Sequence, residues 1–193
     1  MPLGLLTIKR LLAEDSDTTL LSFSGYEGLS KPFYFNLIVG AQQPLCQESL
    51  AHKTVFFSAG TTDGKRDFNG NVYCVERLFS QGDSQYRYRL TLRPWFYFLS
   101  SHYDCRVFQN QNVIDICRFW FDYFSIKSFD FCLLEKEYPN IDYCVQFNES
   151  VYDFLSRLLA DHGIFYYFRF DGSGHSLVLA DSTVGYVNTG SIY

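Results

Sequence analysis

The sequence predicts an α+β fold that is mainly β, with an antiparallel β-barrel-like domain followed by a small α/β domain. Hydrophobic residues make up 47% of the 193 residues and aromatic residues 19%, with 20 Phe and 15 Tyr, an excess that favours strands. Up to Arg93, short apolar or alternating runs are separated by glycines. After Pro94 the apolar residues recur at helical spacing, so we expect helices to join the strands there.

The first half of the chain contains five predicted strands. These cover residues 18–24, 33–39, 54–59, 66–76 and 85–93. The last one alternates strictly: Tyr86, Tyr88, Leu90 and Leu92 share one face, and Arg87, Arg89, Thr91 and Arg93 share the other. Several antiparallel strands with short turns are typical of a small barrel or sandwich.

Two amphipathic helices are predicted in the second half. Asn112 is suited to cap the first, in which Val113, Ile116, Cys117, Trp120 and Phe124 form an apolar stripe. Ser150 is suited to cap the second, which ends at His162 before Gly163. The apolar stripe of that second helix comprises Val151, Phe154, Leu155, Leu158 and Leu159.

A β-hairpin is predicted after the second helix, with strands at residues 164–170 and 175–180 and a turn at residues 171–174. These patterns predict a β-barrel-like domain over residues 1–104 and a small α+β domain over residues 105–181. Residues 182–193 contain no completed hydrophobic pattern, so we expect the chain to be a piece of a larger protein.

Charge and cysteine content indicate the general class of protein. With a net charge of −5, the chain lacks the basic surface that a nucleic-acid partner requires. We expect no export signal and no membrane-spanning segment, because the longest apolar runs fall far short of the roughly 20 residues needed. The six cysteines form no C-x-x-C pair, and buried reduced thiols are favoured over disulfides in a cytoplasmic protein.

No residue pattern indicates a catalytic, cofactor or metal site. Ser173 lies in Gly172-Ser173-Gly174, which is more typical of a turn than of a nucleophile elbow. The four histidines are far apart in sequence and are expected at the surface or at helix ends, as His162 is. They are His52, His102, His162 and His175.

Other potentially catalytic residues also have simpler interpretations. Cys117 and Cys144 are expected to be buried and therefore unreactive. Asp15 and Asp17 form a D-x-D that is common in loops, and the sequon at residues 148–150 coincides with a helix cap. The remaining acidic residues, which we expect on a solvated face, are Glu135, Glu137, Asp142 and Glu149. The sequence thus predicts a protein that is not an enzyme.

A set of short blocks in a fixed order resembles the amino-terminal region of the VgrG family and the related hub proteins of contractile phage tails. The blocks are residues 23–33 (FSGYEGLSKPF), 68–72 (FNGNV), 88–95 (YRLTLRPW), 104–110 (DCRVFQN), 145–150 (VQFNES), 153–159 (DFLSRLL) and 163–168 (GIFYYF). Together they extend over most of the chain.

This resemblance implies a structural role in a contractile injection machine. It also implies that residues 1–104 form a β-barrel tube domain, that residues 105–181 form a small α/β domain and that residues 182–193 begin a second tube domain. Three chains would form a hub that caps an Hcp-type tube ring and carries an effector or a carboxy-terminal spike. The protein would assemble in the cytoplasm and leave through the type VI apparatus without a signal peptide. A phage-tail or pyocin baseplate hub is the nearest alternative. A cell-wall hydrolase, a secreted effector and a small ligand-binding β-barrel remain as other classes.

Two arginines next to apolar residues stand out in these blocks. Arg106 and Arg157 are each suited either to clamp a carboxylate between domains or to lie over apolar neighbours at the surface.

Overall fold

A computed structural model describes residues 7–10, 18–61, 64–78 and 86–182 of the chain. Its strands are β1 (Thr7–Arg10), β2 (Thr18–Gly28), β3 (Lys31–Ala41), β4 (Thr54–Thr61), β5 (Gly64–Leu78), β6 (Tyr86–Arg93), β7 (Tyr103–Gln111), β8 (Phe129–Leu133), β9 (Ile141–Ser150), β10 (Phe165–Phe170) and β11 (His175–Ala180). Its helices are α1 (Gln47–Leu50), α2 (Trp95–Phe98), α3 (Val113–Tyr123) and α4 (Val151–Asp161). A 3-10 turn, Leu99–Ser101, follows α2. The predicted α+β, mainly β class is confirmed.

Six strands form one antiparallel sheet in the order β1-β4-β5-β6-β3-β2. The sheet is curled, as its two edge strands show. β1 and β2 approach each other with Cα atoms within 8 Å although no ladder joins them. All five strands predicted in the first half are present, with bounds that differ by a few residues. Position 85, predicted to begin the last of them, lies outside the described residues. The sheet therefore has the expected barrel-like form.

Phenylalanine rings fill the concave side of this sheet. The alternation in β6 is confirmed, since Tyr88, Leu90 and Leu92 are almost fully buried while the residues between them are not. Phe57 lies at the centre of the ring cluster, 5.0 Å from Phe23 and 5.2 Å from Phe68 between ring centroids. Contacts of this kind add stability beyond the area that they bury.

The second layer is a three-stranded sheet with α3 and α4. β10 and β11 form the predicted hairpin, and β8 pairs with β11 in parallel, an arrangement that the sequence did not indicate. Both helices begin as expected: the Asn112 Oδ1 accepts a hydrogen bond from the Asp115 N–H, and the Ser150 Oγ accepts one from the Asp153 N–H. The predicted stripe of α4 is entirely buried.

A ribbon of two antiparallel strands, β7 and β9, completes the described structure. Asn148 forms a bulge in it, since Glu149 pairs with Asp104 and Phe147 pairs with Cys105, which leaves Asn148 without a cross-strand partner. Its φ of +47° lies in the left-handed region that Asn tolerates better than most residues. The sequence analysis predicted neither strand of this ribbon.

The two predicted domains share a continuous hydrophobic core. Phe33 of β3 contacts Phe168 of β10 edge to face at 5.1 Å between ring centroids, and the Ser30 N–H donates to the Tyr166 carbonyl at 2.8 Å. The boundary at residue 104 stays a prediction. The expected start of a further domain falls on residues 182–193, of which only Ser182 is described.

Candidate assembly surface

The outward face of the β7–β9 ribbon is apolar and exposed. Cross-strand pairing places Cys105 opposite Phe147, Val107 opposite Val145, and Gln109 opposite Tyr143 on this face. Its large side chains are Tyr103 (66% exposed), Val107 (55%), Tyr143 (69%), Val145 (48%) and Phe147 (77%). We call these five residues the ribbon face. A cluster of large apolar side chains in water is typical of a surface that binds another protein.

The opposite side of the ribbon packs firmly on the helices. Phe108 is buried and stacks on Phe154 of α4 with 5.7 Å between ring centroids, and it also contacts Trp120 of α3 at 6.4 Å. The bulge is held by a hydrogen bond from the Asn148 N–H to the Cys105 Sγ at 3.3 Å. The ribbon face is therefore the exposed side of a ribbon whose other side packs against α3 and α4 in the core.

Arg106 and Arg157 lie beside this ribbon and pair with carboxylates close by. Arg106 bonds Asp104 of its own strand at 3.1 Å, and its guanidinium lies 4.9 Å from the Phe119 ring centroid. Arg157 bonds Glu149 at 2.6 Å, and this hydrogen bond raises the pKa of Arg157. The interpretation of these residues as clamps between domains is wrong, because each pair stays within the ribbon and its neighbouring helix. Both guanidinium groups lie over aromatic rings near the surface. This agrees with the alternative interpretation, in which these arginines lie over apolar neighbours at the surface.

Ser173 lies in the hairpin turn, as predicted, and its hydroxyl donates to the Asp171 Oδ1 at 2.6 Å. The expectation that His175 lies at the surface or at a helix end is wrong. His175 is only 5% exposed: its Nδ1–H donates to the Asn69 Oδ1 at 2.8 Å, and its Nε2 accepts from the Trp95 N–H at 3.0 Å. Burial lowers the pKa of His175 to about 4. With both ring nitrogens occupied, His175 has no free nitrogen with which to deprotonate Ser173.

The other three histidines have the surface or helix-end positions that were expected. His52 and His102 are exposed, and His162 directly follows α4, where its Nδ1–H donates to the Leu158 carbonyl at 2.8 Å. His52 and His102 both line an open cavity of about 380 Å³, described further below. Nothing in the sequence spacing of these two histidines indicated that they would share a cavity.

The cysteines are all free, but the expectation that they are buried holds for only two of them. Burial raises the pKa of Cys117 to about 12 and also raises the pKa of Cys144, so both thiols stay protonated near neutral pH. Cys46, Cys74, Cys105 and Cys132 are exposed. Sequence reasoning failed for these four because thiol burial depends on tertiary packing rather than on local pattern.

The acidic residues do not gather into a site in the described part of the chain. Glu135, Glu137 and Asp142 are exposed, and Glu149 pairs with Arg157. Asp15 and Asp17 lie outside the described residues. Among the residues that are described, no group of three or more His, Cys, Asp or Glu side chains is arranged to hold a metal ion. The described helices include none with the length and apolarity needed to cross a membrane.

Comparison with known proteins gives a consistent family assignment. The family model described as phage tail baseplate hub (GPD) matches residues 26–192. The type VI secretion system spike protein VgrG1b of Pseudomonas aeruginosa is 37% identical over 166 residues, which cover 84% of this chain. The match covers 22% of VgrG1b, so the chain spans about a fifth of the length of that relative.

Two solved structures have the same fold. An E. coli protein, c3393, superposes with a TM-score of 0.78 at 26% identity over 95% of this chain and 50% of its own. It is described as a component of the type VI secretion system with structural similarity to the T4 bacteriophage tail proteins gp27 and gp5. A 43 kDa tail protein of prophage MuSo2 from Shewanella oneidensis has a TM-score of 0.57 at 14% identity, over 92% of this chain and 53% of its own, and shows a shared fold.

Proposed function

Because this chain belongs to the phage tail baseplate hub (GPD) family, we propose that it is the amino-terminal hub part of a type VI secretion spike. In this role three copies associate through the hub, cap an Hcp-type tube ring and carry an effector or a carboxy-terminal spike. The protein assembles in the cytoplasm and leaves through the apparatus without a signal peptide. The exposed ribbon face is the structural observation that supports this proposal in addition to family membership.

The ribbon face supports an assembly role because it is costly to leave in water. Val107, Val145 and Phe147 are all about half exposed or more, on a ribbon whose reverse side is already buried. Covering a side chain as large as Phe contributes about 1.5–3 kcal/mol. We propose that another part of the assembled hub covers this face.

The proposed role involves no catalytic turnover. The two candidate thiols are protonated, Ser173 is engaged in a turn, and His175 has both ring nitrogens bound. A structural hub works through rigid surfaces, and the described surface offers an apolar face on a supported ribbon.

A phage-tail or pyocin hub is the second candidate function, favoured by the fold shared with the prophage MuSo2 tail protein. The two candidates differ in the tube that the hub caps. The natural protein can be produced together with an Hcp-type ring protein or with a phage tail-tube protein. We expect the Hcp-type ring to be recovered with it, and recovery of the tail-tube protein alone would favour the second candidate.

The ribbon face can be tested in the natural protein with Val107→Glu and Phe147→Glu. We expect both variants to fold, because the side chains are exposed, but to lose the trimer in light-scattering measurements and to lose secretion. Leu29→Glu is the matched control, since Leu29 is 49% exposed in the turn between β2 and β3. Variants of the ribbon face that remain trimeric and secreted, as the control does, would contradict the proposal.

A further inference from the structure

Arg93 is held between two tyrosine rings on the convex side of the six-stranded sheet. Its guanidinium carbon lies 5.1 Å from the ring centroid of Tyr34 in β3 and 4.5 Å from that of Tyr97 in α2. Its Nε is buried and has no hydrogen-bond partner among the described residues. The two rings restrict the orientation of the guanidinium group.

The charge of Arg93 is not neutralised by the described part of the chain. Five other arginines there bond a carboxylate at 3.1 Å or less, namely Arg66, Arg89, Arg106, Arg157 and Arg169. Arg93 has no such partner among the described residues, although it is more buried than Arg89 on the same strand. A half-buried guanidinium with an unpaired N–H is costly, and a carboxylate is the group that its planar fork fits best.

One exposed tyrosine contacts this cation, and a second contacts the Tyr97 ring beside it. Tyr34 is 37% exposed, and Tyr73 is 53% exposed and contacts Tyr97 edge to face at 5.4 Å between ring centroids. We call Tyr34, Tyr73, Arg93 and Tyr97 the Tyr–Arg patch. Tyr and Arg are the side chains that dominate the energetically important centres of protein interfaces, because they combine a large apolar area with hydrogen-bonding groups.

A cavity with a largely apolar wall adjoins the Tyr–Arg patch. Phe98 connects the two: its ring lies 5.9 Å from that of Tyr73, and it also lines the cavity of about 380 Å³. The apolar side chains of the cavity wall are Trp95, Phe98, Leu99, Phe124 and Ile126. This volume is within the range of sites that take a large apolar group.

We propose that the Tyr–Arg patch and the adjoining cavity bind a protein partner through an acidic residue followed closely by a large apolar residue. The partner carboxylate bonds Arg93, and the apolar side chain enters the cavity. A polypeptide is favoured over nucleic acid because the chain carries a net charge of −5, which repels a phosphate backbone. The inference does not depend on the hub role, since it involves β3, β5, β6 and α2 rather than the ribbon face.

Short peptides can test the site directly on this chain. The probes are an N-acetylated, C-amidated Gly-Glu-Gly-Phe-Gly peptide, its Gln analogue in place of Glu, and inorganic phosphate. Binding is followed by amide chemical shifts in NMR titrations. We expect the Glu peptide to give saturable shifts around Arg93, Tyr97 and Phe98, and the Gln peptide to bind about tenfold more weakly or worse, the effect of losing one charge-assisted pair.

Substitutions test whether the Arg93 side chain causes the preference for the Glu peptide over the Gln peptide. Arg93→Met keeps an unbranched side chain between the two tyrosines and should lose the preference for Glu over Gln, whereas Arg89→Met is the control and should keep it. An unchanged unfolding midpoint shows that each variant is folded. The proposal is overturned if the Glu peptide gives no saturable shifts, if Arg93→Met keeps the preference, or if phosphate alone binds as tightly as the Glu peptide.

Discussion

The His175 Nε2 accepts a hydrogen bond from the backbone N–H of Trp95 at 3.0 Å, which ties the β10–β11 hairpin to the first turn of α2. On the other side of the ring, the His175 Nδ1–H donates to Asn69 of β5 at 2.8 Å. The Asn69 Nδ2–H donates in turn to the Gly174 carbonyl at 2.8 Å. A buried neutral imidazole thus joins the six-stranded sheet, the hairpin and α2.

Stability should fall as the pH is lowered from about 6.5 to 4, because of His175. Burial lowers the pKa of His175 from its ordinary value of 6.5 to about 4. Between these values the unfolded chain binds a proton that the folded chain does not, so the full contribution is present above pH 6.5 and is lost as the pH approaches 4. We expect a loss of about 3 kcal/mol across this window.

Urea unfolding at several pH values measures this loss, and His175→Gln provides the control because Gln does not titrate. The variant should be less stable at pH 7 and should have a flatter profile between pH 6.5 and 4. Parallel profiles for the two proteins would show that His175 does not remain neutral in the folded state.

Leu158→Ala should cost about 2–5 kcal/mol in the free energy of unfolding, the range for large-to-small changes in a packed core. Leu158 is 3% exposed in α4 and packs in the core that this helix shares with β10. Leu21→Ala is the control, since Leu21 is 41% exposed, and should change stability by no more than about 0.5 kcal/mol. Denaturant unfolding that gives less than about 1 kcal/mol for Leu158→Ala would contradict this packing.

Ser150→Ala should cost about 1 kcal/mol, because the Ala side chain cannot accept the hydrogen bond from the Asp153 N–H that begins α4. The Ser150 Oγ also donates to the Asp153 Oδ2 at 2.6 Å, so two bonds are lost. Ser150→Thr retains the hydroxyl and should recover most of the stability. If Thr and Ala prove equally destabilising in denaturant unfolding, packing around Ser150 rather than capping is responsible.

The purified chain should hydrolyse neither peptidoglycan nor simple esters. Its buried thiols are protonated, and the one histidine near Ser173 in sequence has no free ring nitrogen. Release of products is measured against a known hydrolase under the same conditions. Hydrolysis that disappears when a single Ser, Cys or Glu of this chain is replaced would overturn the non-enzymatic role.

Local sequence patterns were sufficient to predict the elements in which buried residues recur at a regular spacing within one segment. The alternation from Tyr86 to Arg93 and the stripe of α4 correctly predicted which faces are buried. The caps at Asn112 and Ser150 were also predictable, because a cap and its partner lie three residues apart.

Features that depend on distant partners could not be predicted from the sequence. The burial of His175 depends on Asn69 and Trp95, which are 106 and 80 residues away. The β7–β9 ribbon was missed because its outward face carries the large apolar side chains that normally indicate a core. The Tyr–Arg patch likewise brings together β3, β5, β6 and α2, and the alternation of β6 revealed only which way Arg93 points.

The bond between Asn69 and His175 also sets a condition on how the chain folds during synthesis. Since the two residues are 106 positions apart, β5 leaves the ribosome long before the hairpin that completes its polar contacts. Until the hairpin is synthesised, the side chain of Asn69 can bond only water or other partners in the sheet. The Phe33 ring lacks the cover that β10 later provides. Long-range pairings of this kind slow folding and prolong the exposure of apolar surface, so we expect the nascent chain to expose apolar surface until the β10–β11 hairpin has been synthesised.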